Sequence, residues 1–307
     1  MPASRIRYAR LATERSNPRS RALDRMTPRQ IAALMNREDR RAVLAVGRVQ
    51  SEIAAAVDMI VAALRDGGRL VFVGAGTSGR LGVLEAAECP PTFGTPRRLV
   101  QAIIAGGRGA VFRSREGAED DVAAARRAVR ARVRRGDVVV GISASGVTPF
   151  VSAALTAAKR RGAKTVLVAC NAEGAFRSPR TTHIRVVPAT GAEVLAGSTR
   201  LKAGTATKLV LNTLTTASMT GLGRVYGNRM VDLQPRSAKL RERALRLVAD
   251  LAGVSRNRAR SALKASRGRA RVAIVMARSG LDAAEASRAL EDAGGSLRVA
   301  LQKFRRK

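Results

Sequence analysis

Four clusters of side chains in this sequence have the types and spacing that chemistry requires. The first is Val73-Gly74-Ala75-Gly76-Thr77-Ser78-Gly79-Arg80, which follows a short apolar run and precedes a helical stretch. Glycines let such a turn present several backbone N–H groups, and the N-terminus of the following helix favours an anion. The run contains Gly-x-Gly-x-x-Gly, the formal dinucleotide fingerprint, but that fingerprint also needs an acidic residue closing the second strand to hold the ribose hydroxyls. Here the second strand ends Ile103-Ile104-Ala105-Gly106-Gly107, without an acid. The reading is therefore a phosphate cradle that uses the Thr77 and Ser78 hydroxyls.

The second cluster, Ser143-Ala144-Ser145-Gly146-Val147-Thr148, also follows an apolar strand. Hydroxyls at the carboxyl end of a parallel strand lie where an open α/β sheet binds its ligand, so Ser143, Ser145 and Thr148 are expected to face the first loop across one phosphate. The third is a set of carboxylates in a chain otherwise short of them: Glu85 and Glu88 after the first loop, and Glu116, Glu119, Asp120 and Asp121 after the second strand. Two carboxylates in different environments can be tuned apart as one acid and one base. Helix capping and surface pairing with arginine compete with that reading, most strongly for Asp120 and Asp121. The fourth is residues 193–208, where Ser198, Thr199, Arg200, Lys202, Thr205 and Lys208 crowd a glycine-punctuated turn before a helix. Cations and hydroxyls there are placed to close over an anionic substrate.

The elements that must position these groups are legible in the periodicity. Thr27-Pro28 reads as an N-cap followed by proline at the first helical position, and helical spacing runs on to Leu64. Short apolar runs at 69–73, 99–104, 138–142, 165–169 and 184–187 alternate with alanine-rich helical stretches such as 122–133 and 151–160. That alternation predicts an α/β fold with a doubly wound parallel sheet covered on both faces. A further helix is expected over 204–219, a break at Gln234-Pro235, and then short helices over 238–251, 256–265, 270–278 and 283–293. The expected organisation is an N-terminal helical arm over 1–45, a ligand-binding domain over 46–235 and a small helical domain over 236–307.

Composition narrows the chemistry. The 307 residues are 46% hydrophobic, which rules out a disordered tail, while aromatic residues make up 3% and argue against base-stacking platforms. Two cysteines and the single His183 give neither a disulfide framework nor a metal-ligand cluster, so no metal site is expected. His183 sits in the alternating run 182–186 without a nucleophile elbow and reads as a strand residue. The basic start from Met1 to Tyr8 lacks the apolar core of a signal peptide and no apolar run reaches membrane-spanning length, so a soluble cytoplasmic protein is expected. The net charge of +34 is spread along the chain, as +6 over 1–40, +15 over 41–235 and +13 over 236–307. Arginine dominates it, with 49 against 8 lysines. That distribution fits arginine on solvated faces better than one nucleic-acid-binding surface.

The segments 74–94 (GAGTSGRLGVLEAAECPPTFG), 115–121 (REGAEDD), 141–150 (GISASGVTPF), 197–212 (GSTRLKAGTATKLVLN) and 225–235 (VYGNRMVDLQP) resemble the N-acetylmuramic acid 6-phosphate etherases, members of the sugar isomerase (SIS) domain proteins. The resemblance extends from Thr13-Glu14-Arg15-Ser16-Asn17 to the helical C-terminus. It implies a SIS-type, flavodoxin-like sheet and a homodimer acting on a sugar phosphate. The implied reaction is cleavage of the D-lactyl ether to N-acetylglucosamine 6-phosphate and D-lactate, in amino-sugar catabolism and peptidoglycan recycling, with no cofactor. It places the proton donor on Glu88 and the second catalytic glutamate on Glu119. The chain departs from the family pattern at Val147, where arginine is usual, at Arg115, where an apolar residue is usual, and at Glu85 and Ala87, where Asp and Ser are usual.

Two other functions are compatible with parts of this pattern. A non-catalytic sugar-phosphate sensor would use the same fold and the same hydroxyl loops, but retention of both Glu88 and Glu119 argues for an enzyme. A nucleic-acid-binding regulator would use the charge, but no helix-turn-helix precedes the sheet, which argues against specific nucleic-acid binding.

Overall fold

The computed structural model describes residues 11–177, 182–232 and 238–304. The basic start from Met1 to Tyr8 and the expected break at Gln234-Pro235 lie outside the described residues. Two helices, α1 (Pro28–Gly47) and α2 (Gln50–Arg65), come before the sheet. Thr27 caps α1 as its type predicts: its hydroxyl accepts from the Gln30 N–H and the Gln30 side chain accepts from the Thr27 N–H, with Pro28 in the first turn.

Five parallel strands follow: β1 (Leu70–Gly74), then after α3 (Gly76–Phe93) β2 (Val100–Ile104), after α4 (Val122–Arg132) β3 (Val138–Ile142), after α5 (Pro149–Arg160) β4 (Lys164–Val168), and after α6 (Ala172–Arg177) β5 (Ile184–Val186). Their order across the sheet is β2-β1-β3-β4-β5, so the winding reverses between β1 and β3. Every residue of β1 and β3 is buried. The period of two divides them between two helical layers. Val71, Val73 and Val139 join a core with Val129 of α4 and Val151 and Leu155 of α5. On the opposite face, a Cβ at Gly82 of α3 would lie 2.8 Å from the Phe72 side chain and 3.3 Å from Ile142. At the amino edge Asp137 accepts from Arg69 Nε at 3.1 Å and Nη2 at 2.6 Å, and also from the backbone N–H of Arg69 and Arg134. That clamp fixes where β1 and β3 begin, and their equal length then brings both to their ends together, with Gly74 beside Ile142.

After β5 come α7 (Lys202–Gly221), a two-stranded antiparallel hairpin of β6 (Val225–Tyr226) and β7 (Arg229–Met230), and five helices, α8 (Ala238–Ala252), α9 (Arg256–Ala265), α10 (Ala270–Ser279), α11 (Ala283–Asp292) and α12 (Leu297–Gln302). The chain forms two compact units: residues up to Ala86 with Arg98–Thr215, and Ala87–Arg97 with residues from Thr216 onward. The first holds the sheet. The second has its own core, built on Val231, Val248, Ile274, Val275 and Leu297. No helix among the described residues is long and apolar enough to cross a membrane.

Candidate active site

The crevice at the β1/β3 reversal is where an open α/β sheet takes its ligand, and both hydroxyl loops lie there. In the first, each glycine has a separate reason. Gly76 has φ +52, a left-handed conformation that a side chain would strain. A Cβ on Gly79 would sit 2.7 Å from the Gly74 carbonyl oxygen and 2.6 Å from Ile104, so helix and strand meet there without room for a side chain. Thr77 and Ser78 consequently occupy the first turn of α3. Neither hydroxyl makes a side-chain hydrogen bond to another described residue, which leaves both available to an anion at the helix N-terminus.

The second loop is organised by Ser143. Its side chain is buried, with Oγ 2.7 Å from Thr148 Oγ1 and 3.3 Å from Ser145 Oγ, and it accepts from the Gly146 N–H at 3.1 Å. Ser143 thus shapes the loop, while Ser145 and Thr148 are only half-buried. Gly146, at φ +77, makes the turn. The loop is backed by α6, where a Cβ at Gly174 would fall 1.8 Å from the Ser145 carbonyl oxygen and 3.2 Å from Val147.

Lys202 is placed differently from the expected substrate cation. It opens α7, whose Gly204 lies beside Thr77, a Cβ there being 3.9 Å from the Thr77 methyl. Its own ammonium, however, is buried and donates to Glu38 Oε2 at 2.6 Å. Glu38 also accepts from Asn17 Nδ2 at 2.9 Å, and Asn17 in turn donates to the Ala192 carbonyl at 3.2 Å. Glu193 accepts from the Lys202 and Ala203 N–H groups, capping α7 with a carboxylate whose pKa burial pushes up against those bonds. Lys202, Arg19 and Arg41 also line a cavity of about 570 Å³. Sequence reasoning did not single out Glu38, the partner of Lys202, or Asn17, which bonds Glu38 in turn; they lie 164 and 185 positions before Lys202, and nothing local marks the connection.

The carboxylates separate by environment. Glu85 is buried and accepts from Lys208 Nζ and from Thr215 Oγ1, the latter at 2.7 Å, so it ties α3 to α7. Asp121 caps α4 through the Ala124 N–H at 2.7 Å, the capping role weighed for it. Glu88, on α3, and Glu119, in the short 3₁₀ turn Ala118–Asp120, are both exposed and have no hydrogen-bond or ion-pair partner among the described residues. Arg115, at a departure from the family pattern, lies over the turn after β2: Cβ atoms at Gly106 and Gly109 would meet its side chain at 3.0 and 3.2 Å. His183 stands just before β5 and accepts through Nδ1 from Thr165, whose hydroxyl is 2.8 Å away; burial, then Lys159 and Lys164, lower its pKa. Burial pushes the Cys170 thiol up to about 12, so it stays protonated and is no nucleophile.

Comparison with known proteins bears on the fold and the family. Residues 52–159 match the model of the glucokinase regulatory protein N-terminal SIS domain. A phosphoheptose isomerase from Francisella tularensis shares the fold, with a TM-score of 0.50 at 18% identity over 64% of this chain and 100% of that one. Similarity to N-acetylmuramic acid 6-phosphate etherases is far greater. The chain is 48% identical to that of Synechocystis sp. (strain ATCC 27184 / PCC 6803 / Kazusa) over 95% of both chains. It is 51% identical to that of Geobacillus thermodenitrificans (strain NG80-2), over 95% of this chain and 99% of the relative. It is 52% identical to that of Gloeobacter violaceus (strain ATCC 29082 / PCC 7421), over 96% of each. With about half of its residues shared along nearly the whole of both chains, this chain belongs to the N-acetylmuramic acid 6-phosphate etherase family.

Proposed function

We propose that this chain is a carbon–oxygen lyase that converts N-acetylmuramic acid 6-phosphate to N-acetylglucosamine 6-phosphate and D-lactate. The observation that carries the reading is 52% identity to an etherase over 96% of the chain, with both expected glutamates present and without a partner among the described residues. The phosphate is held by the Thr77 and Ser78 hydroxyls and the α3 N-terminus on one side and by Ser145 and Thr148 on the other, in the loop that Ser143 shapes. Elimination needs an acidic C–H beside a carbonyl, so the sugar first opens to its aldehyde. Glu119 removes the C2 proton; the electron pair forms the C2–C3 double bond as the C3–oxygen bond breaks, and Glu88 protonates the departing lactate oxygen. Water then adds at C3 of the unsaturated aldehyde, with a proton returning to C2. In this reading the protein works as a cytoplasmic homodimer in peptidoglycan recycling; Val43 and Leu44, 54% and 63% exposed on α1, offer apolar surface for a second copy.

Release of D-lactate from the phosphorylated substrate tests the reaction, and isotope exchange tests the roles. Glu88→Ala should still exchange C2 hydrogen with solvent deuterium while lactate stays attached, because proton removal does not require departure of the leaving group. Glu119→Ala should abolish exchange and elimination together. Loss of one general acid or base costs about 10²–10⁴-fold, well above detection. The opposite pattern would reverse the assignment, and full activity in both variants would make these surface acids.

A further inference from the structure

The second compact unit contains a cavity of about 720 Å³, and none of its lining residues is one proposed for the etherase reaction. Arg224, Arg267, Arg269 and Arg271 line it together with two acidic residues, Asp232 and Glu291. Asp232 is already shared: it accepts from Arg224 Nη1 at 2.8 Å and from Arg271 Nε at 2.6 Å. Arg224 and Arg271 are held further by the carbonyls of Phe93 at 3.0 Å and Gly295 at 2.6 Å, so they form a rigid cationic floor. Arg267 and Arg269 make no ion pair with any described residue.

Arg267 is the only described non-glycine residue with positive φ, at +53. It ends α9, where the Gly268 N–H reaches the Leu263 carbonyl at 2.8 Å, a position at which glycine is the usual occupant. The chain thus carries a long cation on the cavity rim where its backbone would be less strained without a side chain. Arg269, beside it, occupies the N-cap of α10 without capping it by a side-chain hydrogen bond. The volume is that of a pocket for a small molecule.

We infer that this cavity is a second anion site, taking a small phosphomonoester between the Arg224–Arg271 floor and the Arg267 and Arg269 rim. The test uses inorganic phosphate, then glucose 6-phosphate, in calorimetric titrations of the full chain in a Ser78→Ala/Ser145→Ala background that weakens the substrate loops. Arg267→Gly suits the left-handed backbone, and Arg269→Ser supplies the missing capping oxygen in exchange for the Arg269 hydrogen bonds to the Ser266 carbonyl at 3.0 Å and to Ser287 Oγ at 3.2 Å, so both remove charge and the melting temperature shows whether the fold is kept. The parent background should bind one phosphate per chain at this cavity. Adding the two arginine changes should weaken that binding about tenfold or more, while the melting temperature in phosphate-free buffer holds or rises. No phosphate bound in the parent background, or binding that the arginine changes leave unaltered, would overturn the proposal and leave the etherase reading untouched.

Discussion

Ser143 and Ser145 stand two positions apart and differ in what removal would do. Ser143 Oγ is buried against Thr148 and the Gly146 N–H, so Ser143→Ala should lower stability by about 1–3 kcal/mol and spoil the loop. Ser145→Ala gives up only the 3.3 Å contacts of its half-buried hydroxyl with the Val147 N–H and Ser143 Oγ, so it should shift denaturant midpoints less and raise KM. A matched pair of melts and KM values separates the two. Lys202 and Glu38 supply a second residue-scale prediction. Burial pushes the Glu38 pKa up, but hydrogen bonds from Lys202 and Asn17 and the charges of Lys202 and Arg19 outweigh it and the net shift is downward. A carboxyl with a depressed folded pKa contributes stability that is fully present above its unfolded value of about 4.3 and is lost as pH falls through the folded value. The protein should therefore lose stability on acidification below that range, and Lys202→Met should cost about 3–5 kcal/mol near neutrality and flatten the acid limb. A stability curve in Lys202→Met that matches the parent would refute it. The hydroxyl loops were readable because their residues are consecutive. The commitment of Lys202 was not, because its partners are distant in sequence and the choice between an exposed and a buried ammonium is made by packing.

Strand and helix placement followed from apolar runs and their period, and β1 through β5 fall within a residue or two of the sequence reading. Elements of few residues escaped it. The hairpin β6–β7 has two residues per strand, α6 and α12 have six residues each, and no period can establish itself over such lengths. The interruption of helical pattern by Pro90 and Pro91 likewise hides that α3 continues to Phe93. α6 nevertheless matters to the site, because Gly174 brings it against the backbone of the Ser143–Thr148 loop. A Cβ at 1.8 Å from the Ser145 carbonyl cannot be accommodated by side-chain movement. Gly174→Ala, harmless by helix propensity, should therefore push the loop aside and raise KM for the phosphorylated substrate several-fold or more, with a smaller effect on kcat. Unchanged steady-state constants would show that α6 only lies alongside the loop.

The charge of +34 belongs to the whole molecule, since all three segments of the chain carry an excess. An excess of that size has two consequences of opposite sign. It attracts an anionic substrate from a distance, which raises the encounter rate, and it repels itself, which weakens the compact state. Both are screened by salt, over about 8 Å at physiological ionic strength. In a sodium chloride titration, kcat/KM should fall as salt rises past that strength, because encounter is being slowed. kcat should stay level, because in the proposed site Ser145, Thr148 and the α3 turn would hold the bound phosphate at short range. The melting temperature should rise over the same titration as self-repulsion relaxes. A kcat/KM that is flat while the melting temperature rises would confine the arginines to solvated faces with no part in substrate capture. A kcat that falls with kcat/KM would instead mean that salt acts on the bound complex and not on encounter, whereas a rise in KM larger in sulfate than in chloride at equal ionic strength would mean that the ions compete for the phosphate loops themselves.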